Sequence, residues 1–522
     1  MENLEEKTPA PAAGINRRTF IYSGALAGGG LVLAPRALRA QNANVPATTP
    51  APASTVRVGL VGCGIEGGVL LDSLAKTKSE NKIPFRLEAL CDVWPRALDG
   101  THRRQKQVHP DVRKFKRIEE MLEKAGKDLD AVIVATPDHW HCRHTVMALK
   151  AGKHVYCEKM MARTPEEGRQ MVLASRHRAG HKDVADGKLL QIGHQRRSNP
   201  NYRFAYNVLL SRYKFLGRLT NATGQWNRAV GNSQDITLSP ALAKTITETV
   251  LKESEFLLDE NGKPYDRETA LHRFRNWRWF KAYSNGPISD LGAHQIDIFN
   301  WVFGRPRSVI AAGGNDYFSV ALDPSGKPYK PREWFDNVMC IFDYVGDGLH
   351  PGLAKGEVAR AFYQVLTTTS SGGGYFENFM GEKGSLKISE NAANIKAYAE
   401  TAAESWFNTL VAKGCLEKDV APAPKKKSDG ILDARASAAP TAFDLTSRLG
   451  EKFAHQFHLE NFLRVIINNP ENDPKKGETL NCDGLHAFES EAPIFKINEV
   501  AAKRERYDYK PEDFELEPAK AA

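Results

Sequence analysis

A glycine motif near the start of the chain constrains its fold more than any other sequence feature. The β-branched run before the motif predicts a strand, and the amphipathic stretch after it predicts a helix. The motif itself reads Gly62-x-Gly64-x-x-Gly67. Gly62 permits a tight turn, Gly64 lets a pyrophosphate approach the backbone, and Gly67 allows the helix to pack closely on the strand. The motif therefore predicts a dinucleotide-binding turn, with Ile65 and Glu66 beside the anion at the helix N-terminus.

An acidic residue at the end of the next predicted strand indicates which dinucleotide is bound. Residues 86–91 form this strand, and Asp92 follows it, where a carboxylate would accept hydrogen bonds from an adenosine ribose. The same carboxylate would repel a 2′-phosphate, so the sequence favours NAD over NADP. Arg96 lies close enough in sequence to weaken that preference.

Strand and helix patterns continue to alternate beyond this point. Strands are predicted over 131–136 and 154–158, with a helix over 141–151 between them. Residues 55–180 are therefore predicted to form a doubly wound parallel sheet of the Rossmann type.

Polar residues after these strands are candidate ligand contacts, because ligands bind at the carboxyl ends of strands in such sheets. Thr136 and Pro137 follow one strand and His141 lies in the next helix, so we expect all three beside the cofactor. A helix cap is the alternative interpretation of this segment. Glu158 and Lys159 end the following strand. A lysine there can orient a substrate hydroxyl and take part in proton transfer, or it can be an ordinary surface lysine.

A second group of chemically active residues lies in a helical pattern over 288–301. Asp290, His294 and Asp297 are spaced at i, i+4 and i+7, which places them on one face of a helix. A carboxylate beside an imidazole raises its basicity, as a general base requires. A helix N-cap at Asp290 and a buried structural His294 are the alternatives. A metal site built from these three residues is less favoured, and we predict no metal.

The second half of the chain changes character. Glycine-punctuated strands indicate a largely antiparallel open sheet with helices on one face, in a second α+β domain over 181–522. Two polar or Ala/Pro/Lys-rich stretches, near 228–275 and 415–447, are predicted to be surface insertions.

Composition excludes several other classes of protein. The 522 residues include 41% hydrophobic side chains, enough for two or three packed domains. The net charge of +9 comes from scattered basic residues without a nucleic-acid-binding motif, so we expect no nucleic-acid partner. The seven cysteines form no C-x-x-C pair and no zinc-site spacing, which argues against a structural zinc.

The N-terminal residues resemble an export signal rather than part of the fold. Asn16-Arg17-Arg18-Thr19-Phe20 precedes a short Gly/Ala-rich apolar run, as in twin-arginine signals, and residues 1–54 would form this signal and a linker. A disordered basic tail is the alternative. The run is too short to span a membrane stably, so we expect a periplasmic or otherwise exported protein without membrane insertion.

Taken together, these motifs resemble the Gfo/Idh/MocA oxidoreductases. The resemblance covers nearly all of residues 55–505 and rests on an ordered set: Gly62-x-Gly64-x-x-Gly67, Asp92, Thr136-Pro137, Glu158-Lys159 and Asp290-x-x-x-His294. Two further segments resemble the exported bacterial branch of the family, Gln191-Ile192-Gly193-His194-Gln195-Arg196-Arg197 and Asn276-Trp277-Arg278-Trp279-Phe280. The resemblance implies a Rossmann domain followed by an α/β domain whose open sheet mediates a homodimer or homotetramer.

The resemblance also implies roles for individual residues. Lys159, Asp290 and His294 would be catalytic: His294 would exchange the hydroxyl proton of the substrate, Lys159 would bind the same oxygen, and Asp290 would orient this pair or bind a neighbouring hydroxyl. The candidate contacts near the nicotinamide or a sugar substrate are Gln195, Arg196, Arg197, Trp277 and Asp297. A structural role is an equal alternative for the arginine pair. Met160 stands where the family's Glu-Lys-Pro motif has proline, which puts the aim of Lys159 in doubt.

Three functions follow as hypotheses. The first is an exported NAD(P)-dependent oxidoreductase that acts on a sugar, cyclitol or related polyol with a tightly bound cofactor. The second is a glycosidase-like enzyme in which NAD transiently oxidises the sugar so that the glycosidic bond is eliminated. The third is a catalytically weakened protein that retains the nucleotide.

Overall fold

The architecture was analysed on a computed structural model, which describes residues 55–81, 83–175, 187–232, 238–323, 325–418, 440–445 and 454–516. The predicted export signal and linker lie outside the described residues, as does most of the stretch predicted as an insertion near 415–447. Within the described ranges, no helix has both the length and the apolar character needed to cross a bilayer.

Six parallel strands form the first sheet, in the order β3-β2-β1-β4-β5-β6. Their bounds are β1 Val56–Val61, β2 Phe85–Cys91, β3 Arg113–Phe115, β4 Ala131–Val134, β5 His154–Cys157 and β6 Leu190–Ile192. The central strands β1, β4 and β5 are almost completely buried, as expected for a parallel sheet covered by helices on both faces. This is the doubly wound sheet that the sequence predicts, and the order places the carboxyl ends of β1 and β4 side by side.

Ten strands form the second sheet, in the order β14-β15-β13-β12-β11-β7-β10-β9-β8-β16. Their bounds are β7 Leu219–Asn227, β8 Pro306–Gly314, β9 Asn337–Val345, β10 Val358–Leu366, β11 Tyr375–Gly381, β12 Gly384–Ile388, β13 Lys396–Ala399, β14 Leu416–Lys418, β15 Thr441–Leu445 and β16 Tyr507–Asp508. All neighbours are antiparallel except β7 and β10, which run parallel. The prediction of a largely antiparallel second sheet is therefore confirmed.

Helices complete the two layers. Their bounds are α1 Ile65–Asn81, α2 Pro95–Gln105, α3 Ile118–Ala125, α4 Asp138–Lys150, α5 Pro165–Ala174, α6 Pro200–Phe204, α7 Pro240–Lys244, α8 Glu248–Glu253, α9 Arg267–Arg275, α10 Pro287–Asp290, α11 Gly292–Phe303, α12 Glu404–Ala412, α13 Ala454–Asn468, α14 Gly484–Glu491, α15 Ile494–Lys503 and α16 Pro511–Phe514. A π-helical stretch, Ala205–Arg212, continues α6. Helices α11 and α15 pack on one face of the second sheet. Its strands accordingly alternate buried and more exposed residues.

The far C-terminal part of the chain completes the first layer rather than the second. Helix α13 packs against α1, and its apolar side chains share a core cluster with β1 and β2. The carbonyl of Cys482 accepts a hydrogen bond from the backbone N–H of Ile192 in β6. Five strands of the first sheet lie within the predicted range 55–180, but β6 lies beyond it. The core of this layer also includes residues from 454–491, which the sequence prediction placed in the second domain.

The described part of the polar stretch predicted as a surface insertion forms helices that cover part of the first layer. Helices α8 and α9 and the turns next to them hold a small core of their own, which includes Val250, Phe256 and Tyr283. We call residues 238–283 the cover segment. Its many charged and polar residues led to the prediction of exposure, yet its apolar residues pack together and on neighbouring aromatic side chains of the first layer.

Candidate active site

The glycine motif adopts the turn that its sequence predicts. Gly62 has a φ of +99°, a left-handed conformation that favours glycine. A Cβ on Gly67 would lie 2.0 Å from the carbonyl oxygen of Gly62, so helix α1 can approach the turn only without a side chain there. Nothing lies within 4 Å of the position of a Cβ on Gly64, which leaves its backbone open to a ligand.

A cleft of about 510 Å³ runs from this turn along the carboxyl edge of the first sheet. Gly62, Gly64, Ile65 and Glu66 line it, as do several residues from the cover segment. A long cleft that begins at a helix N-terminus and an open glycine backbone fits an extended dinucleotide.

Asp92 lies at one end of the cleft, where the sequence analysis expects the adenosine ribose. Its two carboxylate oxygens each accept a backbone N–H, one from Cys63 and one from Trp94, both at 2.8 Å. Burial raises the pKa of Asp92 to about 6, although these two hydrogen bonds oppose the change. Arg96, which was expected to weaken the preference for NAD, is exposed. Lys116 and Arg117, which were not predicted from the sequence, line this end of the cleft.

The segment after β4 lines the middle of the cleft. Thr136 and Pro137 border it as predicted. His141 is 1% exposed, and its ring nitrogens lie 2.7 Å from the carbonyl oxygens of Met160 and Thr136. His141 therefore links the loop after β4 to the loop after β5. Asp138 is also buried and accepts a hydrogen bond of 2.7 Å from Ser284 of the adjoining loop.

Glu158 is a buried carboxylate at the end of β5. It accepts hydrogen bonds from the Tyr156 hydroxyl at 3.0 Å and from the Lys159 N–H at 3.3 Å. Burial and the neighbouring charge of Glu66 raise the pKa of Glu158 to about 7. Among the described residues, Glu66, Glu158 and His455 form the group that could hold a metal ion, because their ligand atoms lie within 4.8 Å of one another. Sequence spacing gave no sign of His455, because it lies on α13, which packs against this layer from the far end of the chain.

Lys159 and Asp290 meet in the cleft although they are 131 positions apart. The Lys159 ammonium donates a hydrogen bond to the carbonyl oxygen of Asp290 and lies 3.6 Å from its carboxylate. Arg278 donates to the same carboxylate at 2.8 Å. Burial alone would raise the pKa of Asp290, but the cations Arg278, Lys159 and Arg228 outweigh burial and hold it well below its ordinary value. Met160, which replaces the family proline, is buried in the core next to this lysine.

His294 lies close enough to feel the charge of Lys159, but it is not among the described residues that line the cleft. The predicted single helix over 288–301 is wrong: it is interrupted at Leu291, so Asp290 ends α10 and His294 lies in α11. The imidazole is 6% exposed and its centroid is 5.5 Å from that of Trp226. Burial, and then the charges of Lys159 and Arg196, keep the pKa of His294 well below its ordinary value of 6.5.

Most of the predicted substrate contacts are placed elsewhere. Arg197 pairs with Asp297 at 2.7 Å in the core, and Arg196 pairs with the buried Glu377. The side-chain amide of Gln195 donates to Glu390 at 3.3 Å. None of the four predicted residues in these pairs is among the described residues that line the cleft.

Trp277 does line the cleft, and the guanidinium carbon of Arg278 lies 4.2 Å from its ring centroid. Within residues 276–280, only Trp277 was predicted to contact a ligand. Arg228 and the cover segment's Phe274 and Arg275 also line the cleft, although their position in a polar stretch of sequence gave no sign of it.

The cover segment joins both sides of the cleft. The Trp94 indole N–H, after β2, contacts Thr245 at 3.1 Å, and its ring meets Phe274 edge-on. On the other side, the His139 ring packs edge-on against Phe256. The cover segment therefore bridges the cleft from Trp94, after β2, to His139, after β4.

Comparisons with known proteins agree with this geometry. A family model described as "oxidoreductase family, NAD-binding Rossmann fold" matches residues 56–181, and the model of the "GFO/IDH/MocA C-terminal domain" matches residues 261–386. The scyllo-inositol 2-dehydrogenase (NADP(+)) of Bacillus subtilis is 27% identical over 52% of this chain and 60% of its own length. The alpha-N-acetylgalactosaminidase of Shewanella oneidensis is 29% identical over 30% of this chain and 36% of its own length.

The chain thus spans no more than about six-tenths of these two curated relatives. Among solved structures, levoglucosan dehydrogenase in complex with NADH and L-sorbose superposes with a TM-score of 0.58 at 17% identity, over 87% of this chain and 98% of that one. This likeness concerns the fold. With both family models matched and a NAD-binding Rossmann domain in place, the chain belongs to the Gfo/Idh/MocA family of oxidoreductases.

Proposed function

We propose that this protein is a NAD-dependent oxidoreductase that acts on a CH–OH group of a sugar, cyclitol or related polyol. One observation carries the proposal: the Lys159 ammonium, anchored on Asp290, lies in the same cleft as the open glycine turn. A hydrogen-bond donor for a substrate oxygen is thereby placed along the path of the dinucleotide.

The chain's own residues fit the cofactor. The open backbone at Gly64 and the N-terminus of α1 can receive the pyrophosphate, and Asp92 is held by two backbone N–H groups at the ribose end. A bound nicotinamide would supply hydride transfer to or from the carbinol carbon. The Asp92 carboxylate would repel a 2′-phosphate, whereas Lys116 and Arg117, which also line the cleft, would attract it. The preference for NAD over NADP therefore rests on Asp92 alone.

The remaining chemistry is assigned to three side chains. Lys159 holds the substrate oxygen, and Asp290, kept ionised by its cationic neighbours, fixes the ammonium. His294 is assigned the exchange of the hydroxyl proton, as the family resemblance implies: it accepts the proton when the alcohol is oxidised and returns it when a carbonyl is reduced.

The cofactor is retained during turnover in this proposal. The cover segment joins Trp94 to the far side of the cleft, so a dinucleotide beneath it leaves only when these contacts open. Retention suits export by the twin-arginine route, which carries folded proteins, to a compartment poor in free NAD. The exported location is part of the proposal.

The oligomer expected from the family is proposed to form through the open face of the second sheet. Ile310, Met339 and Ile341 are exposed on neighbouring strands β8 and β9 of this face. Apolar side chains in such a patch are typical of an interface between copies.

One experiment tests the main proposal. The protein is purified without added cofactor and denatured, and the released nucleotide is identified by mass spectrometry. We expect stoichiometric NAD or NADH. We also expect Lys159→Ala to lose at least about a hundredfold in the rate of sugar oxidation with an artificial acceptor, while it keeps its nucleotide. A protein that neither contains nor binds NAD or NADP would refute the proposal.

A glycosidase-like reaction is the second candidate. Similarity to an alpha-N-acetylgalactosaminidase and a covered cleft both favour it, because redox-neutral elimination needs no exchange of the cofactor. Release of sugar from a nitrophenyl glycoside, without net NADH and with uptake of deuterium from D₂O into the ring, would identify it. A nucleotide-retaining binder would instead keep its cofactor and show no turnover that depends on Lys159 or His294.

A further inference from the structure

We propose that the sugar bound at this site carries a carboxylate and that Arg228 recognises it. The inference rests on the proposed oxidoreductase function and names its class of substrate as a uronic acid or a related sugar acid.

Arg228 is fixed at the substrate end of the cleft. It directly follows β7, and its backbone N–H donates to the carbonyl of Leu366 at the end of β10, at 2.8 Å. Its side chain lines the main cleft and also a small adjoining cavity, which Arg278 and Asp290 border as well. The guanidinium carbon lies 5.3 Å from the ring centroid of Trp226, an aromatic surface of the kind on which guanidinium groups stack.

The charge of this guanidinium is less well matched than that of its neighbours. Throughout the described part of the chain, no carboxylate lies within ion-pair distance of Arg228, whereas Arg278 and Lys159 both pair with Asp290. Burial and the nearby charge of Arg278 lower the pKa of Arg228, although Asp290 opposes them. A half-buried cation that is not neutralised is costly, and a ligand anion would remove this cost.

The balance of charge around the site points in the same direction. Three cations face the single carboxylate of Asp290. Asp138 is the acid next to Arg278, and it compensates only in part because burial raises the pKa of its carboxyl. Glu66 and Glu158 line the cleft at the glycine turn and at the end of β5. Around Asp290 itself the cations therefore outnumber the acids.

Guanidinium geometry selects the kind of anion. Its planar fork matches the two coplanar oxygens of a carboxylate and their single charge. A phosphate dianion is ordinarily surrounded by several cations or backbone N–H groups, but the other two cations here are already engaged by Asp290. A sugar acid could then place its carboxylate on Arg228 and a ring hydroxyl on Lys159.

Isothermal titration of the holoprotein, with its nucleotide content measured beforehand, tests the inference. The probes are D-glucuronate and D-galacturonate, each compared with its neutral aldose, with D-glucuronamide as a neutral isostere and D-glucose 6-phosphate as an alternative anion. We expect at least one acid to bind about tenfold or more tightly than its neutral counterparts, as for a hydrogen-bonded charge. We expect Arg228→Gln to lose this ratio, and Arg228→Lys to keep part of it.

Arg218→Gln is the matched control, since Arg218 is exposed and outside the cleft; it should keep the wild-type ratio. Equal binding of acids and neutral sugars, an unchanged ratio in Arg228→Gln, or tightest binding of the phosphate would each overturn the inference. If Arg228→Gln loses its nucleotide and so proves misfolded, Arg228→Lys decides the matter, and a full wild-type ratio there would refute the role of the fork. Failure of the oxidoreductase proposal is recognised separately, by the absence of nucleotide or of turnover dependent on Lys159.

Discussion

Replacement of Asp297 distinguishes a structural ion pair from a substrate contact. Arg197 donates three hydrogen bonds to this carboxylate, at 2.7, 2.9 and 3.1 Å, and the Ser490 hydroxyl donates a fourth at 2.7 Å. The side chains of Arg197 and Asp297 are 7% and 1% exposed, so water cannot replace the lost partner. Asp297→Asn leaves a buried guanidinium without its counter-charge. It should therefore lower the free energy of unfolding by about 3–5 kcal/mol.

Urea unfolding followed by far-UV circular dichroism measures the loss. A double variant, Arg197→Met with Asp297→Leu, serves as the control, because apolar groups of similar size are often tolerated in place of a buried pair. We expect the double variant to regain most of the stability that Asp297→Asn loses. The structural interpretation would be refuted if Asp297→Asn stayed within about 1 kcal/mol of the wild type while the KM for the sugar rose. The pair would then act on substrate, as the family resemblance implies.

Four further predictions concern the cofactor cleft. Gly67→Ala places a Cβ 2.0 Å from the Gly62 carbonyl oxygen, so the purified variant should contain no nucleotide by mass spectrometry; full occupancy would contradict this. Asp92→Asn removes the charge that repels a 2′-phosphate, so the ratio of Kd values for NADP and NAD should fall about tenfold; an unchanged ratio would show that Asp92 does not discriminate. Trp94→Ala removes an indole hydrogen bond to the cover segment and a ring contact with it. Exchange of bound NAD for labelled NAD should therefore accelerate about tenfold. An unchanged rate would argue against retention of the cofactor by the cover segment. Burial raises the pKa of Glu158 to about 7 in the folded protein, against an ordinary value of 4.5. Between these two values the folded state binds more protons than the unfolded state, so the free energy of unfolding should fall as the pH rises from 5 to 7. The free energy of unfolding of Glu158→Gln should fall less over the same range.

The sequence alone predicted the first sheet well, because its signals are local. A tight glycine turn between a strand and a helix needs Gly62 and Gly67 whatever the rest of the chain does, and the structure bears this out. The acid after the second strand also lies where the motif requires it. Such positions are set within one strand–turn–helix unit, so neighbouring residues suffice to predict them.

Residues whose neighbours come from distant parts of the chain were harder to predict from the sequence. The pair Arg196-Arg197 has the composition of a surface or ligand-binding segment, and only the fold shows that carboxylates from distant strands and helices neutralise both residues in the core. The interruption at Leu291 spans a single residue, which the 3.6-residue periodicity does not register. The cover segment escaped detection because its apolar residues are interspersed with charged ones and form a core mainly with one another.

The contribution of helix α13 to the first layer has a consequence for biogenesis. Leu459, Phe462 and Leu463 fill the same core as β1 and β2, so the nucleotide-binding layer of a nascent chain lacks part of its interior until α13 has left the ribosome. Strands made early must wait for a helix made much later, and N-terminal fragments that end before residue 454 would expose this unfilled core to chaperones and proteases. Loading of NAD would then follow the synthesis of α13, so that only molecules containing this helix acquire the cofactor.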